Sequence, residues 1–254
     1  MAKNTPLDTW IYKPKPNPQA RLRLLCLPYA GGGATIYRTW PAHLPPEIEV
    51  WAIRLPGREV RLSEIPYTQM LPLVQTLAQV LSQYVNSPFA LFGHSMGAIL
   101  SFELTHWFRK AQLPGPMHLF VSGHRAPQVP DRKPQLHHLP TADFVKELKD
   151  YNGTPKAVFQ EPELMQLILP LLRADFTLVE TYTYLPKPPL DCPISVFGGQ
   201  DDTLVSLADL EAWRTQTSSH FNIRVYPGDH FFLRDAQPSL LRDITQDLAL
   251  RRGI

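Results

Sequence analysis

An α/β fold, with a mostly parallel central sheet and helices on both faces, is predicted by three features of this chain. Strand-like apolar runs alternate with helix-like amphipathic ones, a Gly-x-Ser-x-Gly turn joins one such pair, and two later glycine- and acid-bearing loops each follow a further strand. The 254 residues suit one domain, 1–254, and the 44% that are hydrophobic suffice for a sizeable core. No repeat of fixed period appears, which disfavours a solenoid.

Leu22–Leu27 reads as the first strand, and Tyr29-Ala30-Gly31-Gly32-Gly33 turns the chain into a helix expected over Ile36–Trp40. Strands are read at Ile48–Leu55, Phe89–Phe92 and His118–Ser122, with helices between them at Leu73–Tyr84 and Ile99–Ala111. Pro193–Phe197 and Asn222–Tyr226 supply the last strands, and Leu241–Leu250 the last helix. From about 125 to 189 the alternation stops. That stretch offers no clear strand but two amphipathic helices, Ala142–Tyr151 and Glu163–Tyr184, with Pro127, Pro130, Pro134, Pro140 and Pro155 on their approaches. An insertion at the carboxyl side of a sheet is read as a lid. Its Phe144, Leu148, Leu167, Leu171 and Phe176 serve either as an acyl channel or, the weightier reading for any single one, as core.

Gly93-His94-Ser95-Met96-Gly97 lies between a buried strand and a helix, the setting of a nucleophile elbow. Its glycines let the serine occupy a strained turn without side chains colliding with the flanking backbones. In such turns the partners come later in the chain, first the acid and then the histidine. Gly198-Gly199-Gln200-Asp201-Asp202 places an acid after one strand and Pro227-Gly228-Asp229-His230 a histidine after the next, at the sheet edge where ligands bind. Ser95 is therefore the candidate nucleophile, His230 the base, and Asp202 the orienting acid, preferred by register over Asp201. The developing oxyanion needs two donors, assigned to the backbone N–H groups of Met96 and Ala30. A phosphate cradle at Gly31–Gly33 lacks the Lys-Ser/Thr pair of a P-loop and the later glycine of a dinucleotide fingerprint.

At these residues the chain resembles the type II thioesterases of nonribosomal peptide and polyketide synthesis, in the α/β-hydrolase superfamily. The likeness rests on Leu27-Pro28-Tyr29-Ala30-Gly31-Gly32-Gly33, on Leu55-Pro56-Gly57-Arg58-Glu59 with Arg61, and on the elbow with Ala98. It continues through Ser122-Gly123, Ala126-Pro127 and Leu169 to Phe176, leaving out only the proline-rich first twenty residues. The resemblance implies an α/β-hydrolase fold and hydrolysis of an acyl group held as a thioester on the phosphopantetheine arm of an acyl or peptidyl carrier protein, clearing misprimed or stalled groups. Tyr29 departs from the family, which usually has histidine there.

Other candidates carry less. His94 should point away from the nucleophile and support the turn. His137-His138 lacks a third ligand at metal spacing, and Cys26 and Cys192 match no zinc or redox motif, so no metal or cofactor is expected. Arg58, Glu59 and Arg61 form either an entrance loop or a surface ion pair. Arg173 and Asp175 are too close on a helix to face each other, and each is expected to serve its own partner. A net charge of +2 gives no case for nucleic acid, and no run is long enough to span a membrane or form a secretory core, so a cytoplasmic protein is expected. A monomer is expected, although no sequence feature bears on oligomeric state. Arg125, Arg132 and Lys133 are candidates for steering an acidic carrier. The competing readings are an acyl-CoA thioesterase or small-molecule serine esterase, an acyl transferase, and an inactive binding protein.

Overall fold

The computed structural model describes residues 6–151, 153 and 157–249. Seven strands form one sheet in the order β1-β3-β2-β4-β5-β6-β7. They are β1 (Ile11–Tyr12), β2 (Leu22–Leu27), β3 (Ile48–Ile53), β4 (Phe89–His94), β5 (Leu119–Ser122), β6 (Ile194–Gly199) and β7 (Phe221–Tyr226). All neighbours are parallel except β1, which runs antiparallel to β3 and pairs Ile11 with Ile53. The middle strands are buried along their whole length because helices cover both faces, as parallel sheets require. Alternate β2 residues enter separate clusters. Leu25 and Leu27 pack with α2 (Met70–Leu81) and α3 (Met96–Lys110), whereas Leu22, Leu24 and Cys26 pack with α7 (Gln237–Ala249).

Two departures from the sequence reading have local causes. Instead of a helix over Ile36–Trp40, two short 3-10 turns, Ala34–Tyr37 and Trp40–Ala42, come after the glycine loop. Pro41 has no N–H to extend an α-helical ladder, while the Tyr37 hydroxyl is drawn inward to donate to the Leu27 carbonyl at 2.7 Å. The proline-rich amino-terminal stretch, where the sequence reading assigns no element, holds α1 (Pro6–Trp10) and β1, whose two residues are too short to show periodicity. Pro155 and Leu250 lie outside the described residues.

Between β5 and β6 the chain carries α4 (Thr141–Asp150) and α5 (Pro162–Glu180), which share an apolar cluster of Leu136, Phe144, Leu148 and Leu172. α6 (Leu207–Glu211) comes after β6, and a capping box between Ser206 and Asp209 starts it. No helix among the described residues is long and apolar enough to cross a membrane.

A buried polar chain fastens α7 to the sheet. His118 Nε2 donates to the Ser195 hydroxyl at 2.9 Å, Ser195 donates to Asp247 at 2.6 Å, and Arg224 grips the same carboxylate at 2.6 and 2.7 Å. Burial pushes the Asp247 carboxyl pKa up, but the bonds from Arg224 and Ser195 outweigh it and hold the group below its usual value. A depressed carboxyl stabilises the fold above its unfolded pKa of about 3.9 and loses that contribution as pH falls through the folded value. Urea midpoints of the parent and an Arg224→Met variant should therefore differ near neutral pH and converge in acid. A constant gap across that range would contradict the assignment.

Candidate active site

Ser95 sits in the turn between β4 and α3 with φ 53° and ψ −115°, a conformation that L-residues seldom adopt. Its amide donates to the Ser122 carbonyl at 2.8 Å and its carbonyl accepts from Ala98 at 2.9 Å, so the backbone of β5 and α3 fixes the strain in place. Both motif glycines are sterically required. A Cβ at Gly93 would overlap the Gly97 carbonyl, and one at Gly97 would overlap the Leu27 carbonyl. Backbone cannot retreat as a side chain can. Gly93→Ala is expected to cost about 3 kcal/mol or more, read from its denaturant midpoint. A midpoint equal to the parent's would mean that the turn is looser than its geometry.

His230 lies beyond β7, and its Nδ1 is 2.8 Å from Asp202 Oδ2. The Asp202 side chain is 1% exposed and its other oxygen accepts the amides of Leu204 at 2.8 Å and Val205 at 3.3 Å. A carboxylate held this way accepts a proton bond from Nδ1, which leaves Nε2 of neutral His230 as the open acceptor. Asp201, by contrast, is exposed. Ser95, Met96, Ala30 and His230 all line one open cavity.

Donor availability separates the loop residues. The Gly31 amide is taken by Asp175 at 2.7 Å and the Gly32 amide by the Tyr29 carbonyl at 2.9 Å, whereas the Ala30 amide has no acceptor among the described residues. Met96 begins α3, so its N–H has no acceptor within the helix. The loop is closed to phosphate by carboxylates from other parts of the chain: Asp175 of α5 holds Gly31, and Glu59 takes both the Thr35 amide at 2.8 Å and its hydroxyl at 2.7 Å. Anions already occupy the positions a phosphate would need.

The remaining sequence candidates take these places. His94 is fully buried below the elbow, with Nδ1 2.9 Å from the Ser122 hydroxyl, and burial followed by the nearby His230 lowers its pKa well below the ordinary value. Tyr29 packs edge-on against His94 and Phe231. Leu148 and Phe176 line the cavity, but Phe144 is buried in the helical cluster, Leu171 is buried away from the cavity and Leu167 is half exposed. His137 is bonded to Glu180 at 2.6 Å. Arg173 donates to the Leu139 carbonyl at 2.9 Å, whereas Asp175 faces Arg58, so the two do serve separate partners.

Sequence reading missed His124, Tyr151 and Glu180, which also line the cavity. His124 donates from Nδ1 to the Arg125 carbonyl at 2.7 Å, and burial, then Arg125, brings its pKa down to about 4, so it stays neutral. Its position directly after Ser122-Gly123, at the end of β5, was the available signal.

A family model for the thioesterase domain matches residues 22–248. The gramicidin S biosynthesis protein GrsT of Aneurinibacillus migulanus is 45% identical over 244 residues, 96% of this chain and 95% of that protein. A Brevibacillus parabrevis protein named linear gramicidin dehydrogenase LgrE is 44% identical over 94% of this chain and 92% of its own. Among solved structures, the type II thioesterase BorB from the borrelidin biosynthetic cluster superposes with a TM-score of 0.86 at 38% identity, covering 96% of this chain and 99% of BorB.

Proposed function

The chain belongs to the thioesterase family, and on that premise we propose that it hydrolyses acyl groups from the phosphopantetheine arm of carrier proteins, using Ser95, His230 and Asp202. The observation that carries this reading is the cavity itself. A serine strained at positive φ opens into the space lined by a histidine whose far nitrogen is bonded to a buried carboxylate.

Proton positions dictate the chemistry. His230 Nε2 takes the Ser95 proton as the hydroxyl oxygen attacks the thioester carbonyl, and Asp202 stabilises the resulting imidazolium. The Ala30 and Met96 amides stabilise the charge on the carbonyl oxygen. As the intermediate collapses, the carbon-sulfur bond breaks and His230 returns the proton to the departing thiolate. Water then repeats the sequence on the acyl-serine, with His230 as its base, releasing a free acid and restoring Ser95. The lid reading assigns 125–189 the role of covering this cavity, since α4 and α5 contribute Leu148, Leu172 and Phe176 to its wall.

Intact mass measurement tests reaction and partner together. A carrier protein bearing an acyl group should lose the acyl mass and yield free acid, faster than the same acyl group on CoA or as an aryl ester. Equal rates on all carriers of the group, or transfer to an added amine or alcohol in place of water, would overturn the proposal.

Charge near the rim supports encounter with an acidic carrier. Lys133 lines the cavity and the Arg132 side chain is 74% exposed, its guanidinium 3.6 Å from Asp209, while Arg125 is more closely paired with Asp131 at 2.9 Å. Arg132→Gln with Lys133→Gln should therefore lower kcat/KM on the carrier substrate severalfold at low salt and flatten its salt dependence, with little change on acyl-CoA. An unaltered salt dependence would remove these residues from the docking surface.

A further inference from the structure

Arg58 and Asp175 are 5% and 1% exposed, and they meet where the loop after β3, the covering helix α5 and the glycine loop after β2 converge. Arg58 Nη2 donates to Asp175 Oδ1 at 2.8 Å and Nη1 to Oδ2 at 3.0 Å. The pair also engages the backbone next to Ala30: Asp175 Oδ2 accepts the Gly31 amide at 2.7 Å, and Arg58 Nη1 donates to the Gly32 carbonyl at 2.8 Å. Gly31 has φ 76°, and a Cβ there would run into Leu172 of α5, so the loop abuts the same helix sterically.

We propose that Asp175, held by Arg58, is a positioning residue that aims the Ala30 amide at the developing oxyanion. The geometry supplies the reason. Fixing the Gly31 N–H fixes the peptide plane between Ala30 and Gly31, which is adjacent to the plane carrying the Ala30 N–H. An oxyanion donor is effective only when it is already oriented as charge develops. Because Asp175 belongs to α5, the helix that walls the acyl cavity also sets the donor, so a displaced α5 leaves Ser95 and His230 in place but the oxyanion unsupported.

The inference rests on the roles proposed for Ser95 and Ala30. Asp175→Asn should reduce kcat on acyl-carrier substrate about 10²-fold with KM changed less than about threefold, because the loss falls on the transition state. Binding supplies a readout that stability alone would not move. An alkyl boronic acid, whose tetrahedral adduct with Ser95 places an oxygen at the oxyanion position, should lose affinity in proportion to kcat, and the matching alkyl amide should not. Arg58→Lys keeps a cation beside Asp175 but loses the two-pronged bond, and should show the same split in smaller measure. It carries the test if Asp175→Asn does not fold. A folded variant with kcat within about threefold of the parent, or with boronate and amide affinities falling together, overturns the proposal. Ser95→Ala, run alongside, distinguishes the failures: retained turnover there would sink the proposed function itself, whatever Asp175→Asn does.

Discussion

Ser95→Ala is expected to abolish measurable turnover, a loss of about 10⁶ in kcat where the three groups act as a unit. The fold should survive. Alanine and serine have the same difficulty at φ 53°, so the exchange neither adds nor relieves backbone strain, and the amide and carbonyl bonds to Ser122 and Ala98 remain. Oxyanion donors and binding would still leave a residual acceleration of about 10³ to 10⁴ over water. Ser95→Gly separates strain from chemistry, because glycine adopts this turn freely and should raise stability by about 1 kcal/mol while remaining equally inactive. Steady-state rates on an acyl-carrier substrate and denaturant midpoints measure both. A folded Ser95→Ala protein retaining even a hundredth of the parental rate would be incompatible with a serine nucleophile.

The elbow could be read in the sequence because its requirements are local. Two backbone segments pass so close to Gly93 and Gly97 that any side chain is excluded, and that need leaves a mark only five residues long. The strands that deliver Asp202 and His230 were equally readable, since apolar runs and the loops after them are also local signals. The glycine loop was legible as a loop, but the turns beyond it were not. Those 3-10 turns depend on Glu59 capping Thr35 and on Tyr37 reaching Leu27, contacts that no window around Ile36 contains. The same holds more strongly for Arg58 and Asp175, which lie 117 positions apart. Helical spacing showed that Asp175 would not face Arg173, but only the fold supplies the partner. Apolar residues of α4 and α5 posed the converse problem, because identical periodicity describes a cavity wall and a helix-helix contact. Phe176 reaches the cavity and Phe144 does not, although both meet the same pattern.

Asp202→Asn is expected to lower kcat by about 10⁴. The size of that loss reflects how the two carboxylate oxygens are engaged. Oδ1 faces two backbone donors, the amides of Leu204 and Val205, so an asparagine must keep its carbonyl oxygen there. Turning the amide round would set N–H against N–H in a site that is 1% exposed. The asparagine nitrogen is therefore left facing His230 Nδ1, where it donates and drives the imidazole proton to Nε2. That nitrogen can no longer accept a proton from Ser95, and no carboxylate remains to stabilise the imidazolium. Asp201→Asn should leave kcat within about threefold of the parent, since its side chain is exposed and its backbone bond to the Gly228 carbonyl is untouched. Parallel rate measurements on the two variants decide between neighbouring acids that composition cannot distinguish. A large loss in Asp201→Asn with a small one in Asp202→Asn would require the loop after β6 to rearrange when substrate binds, bringing the exposed acid to His230.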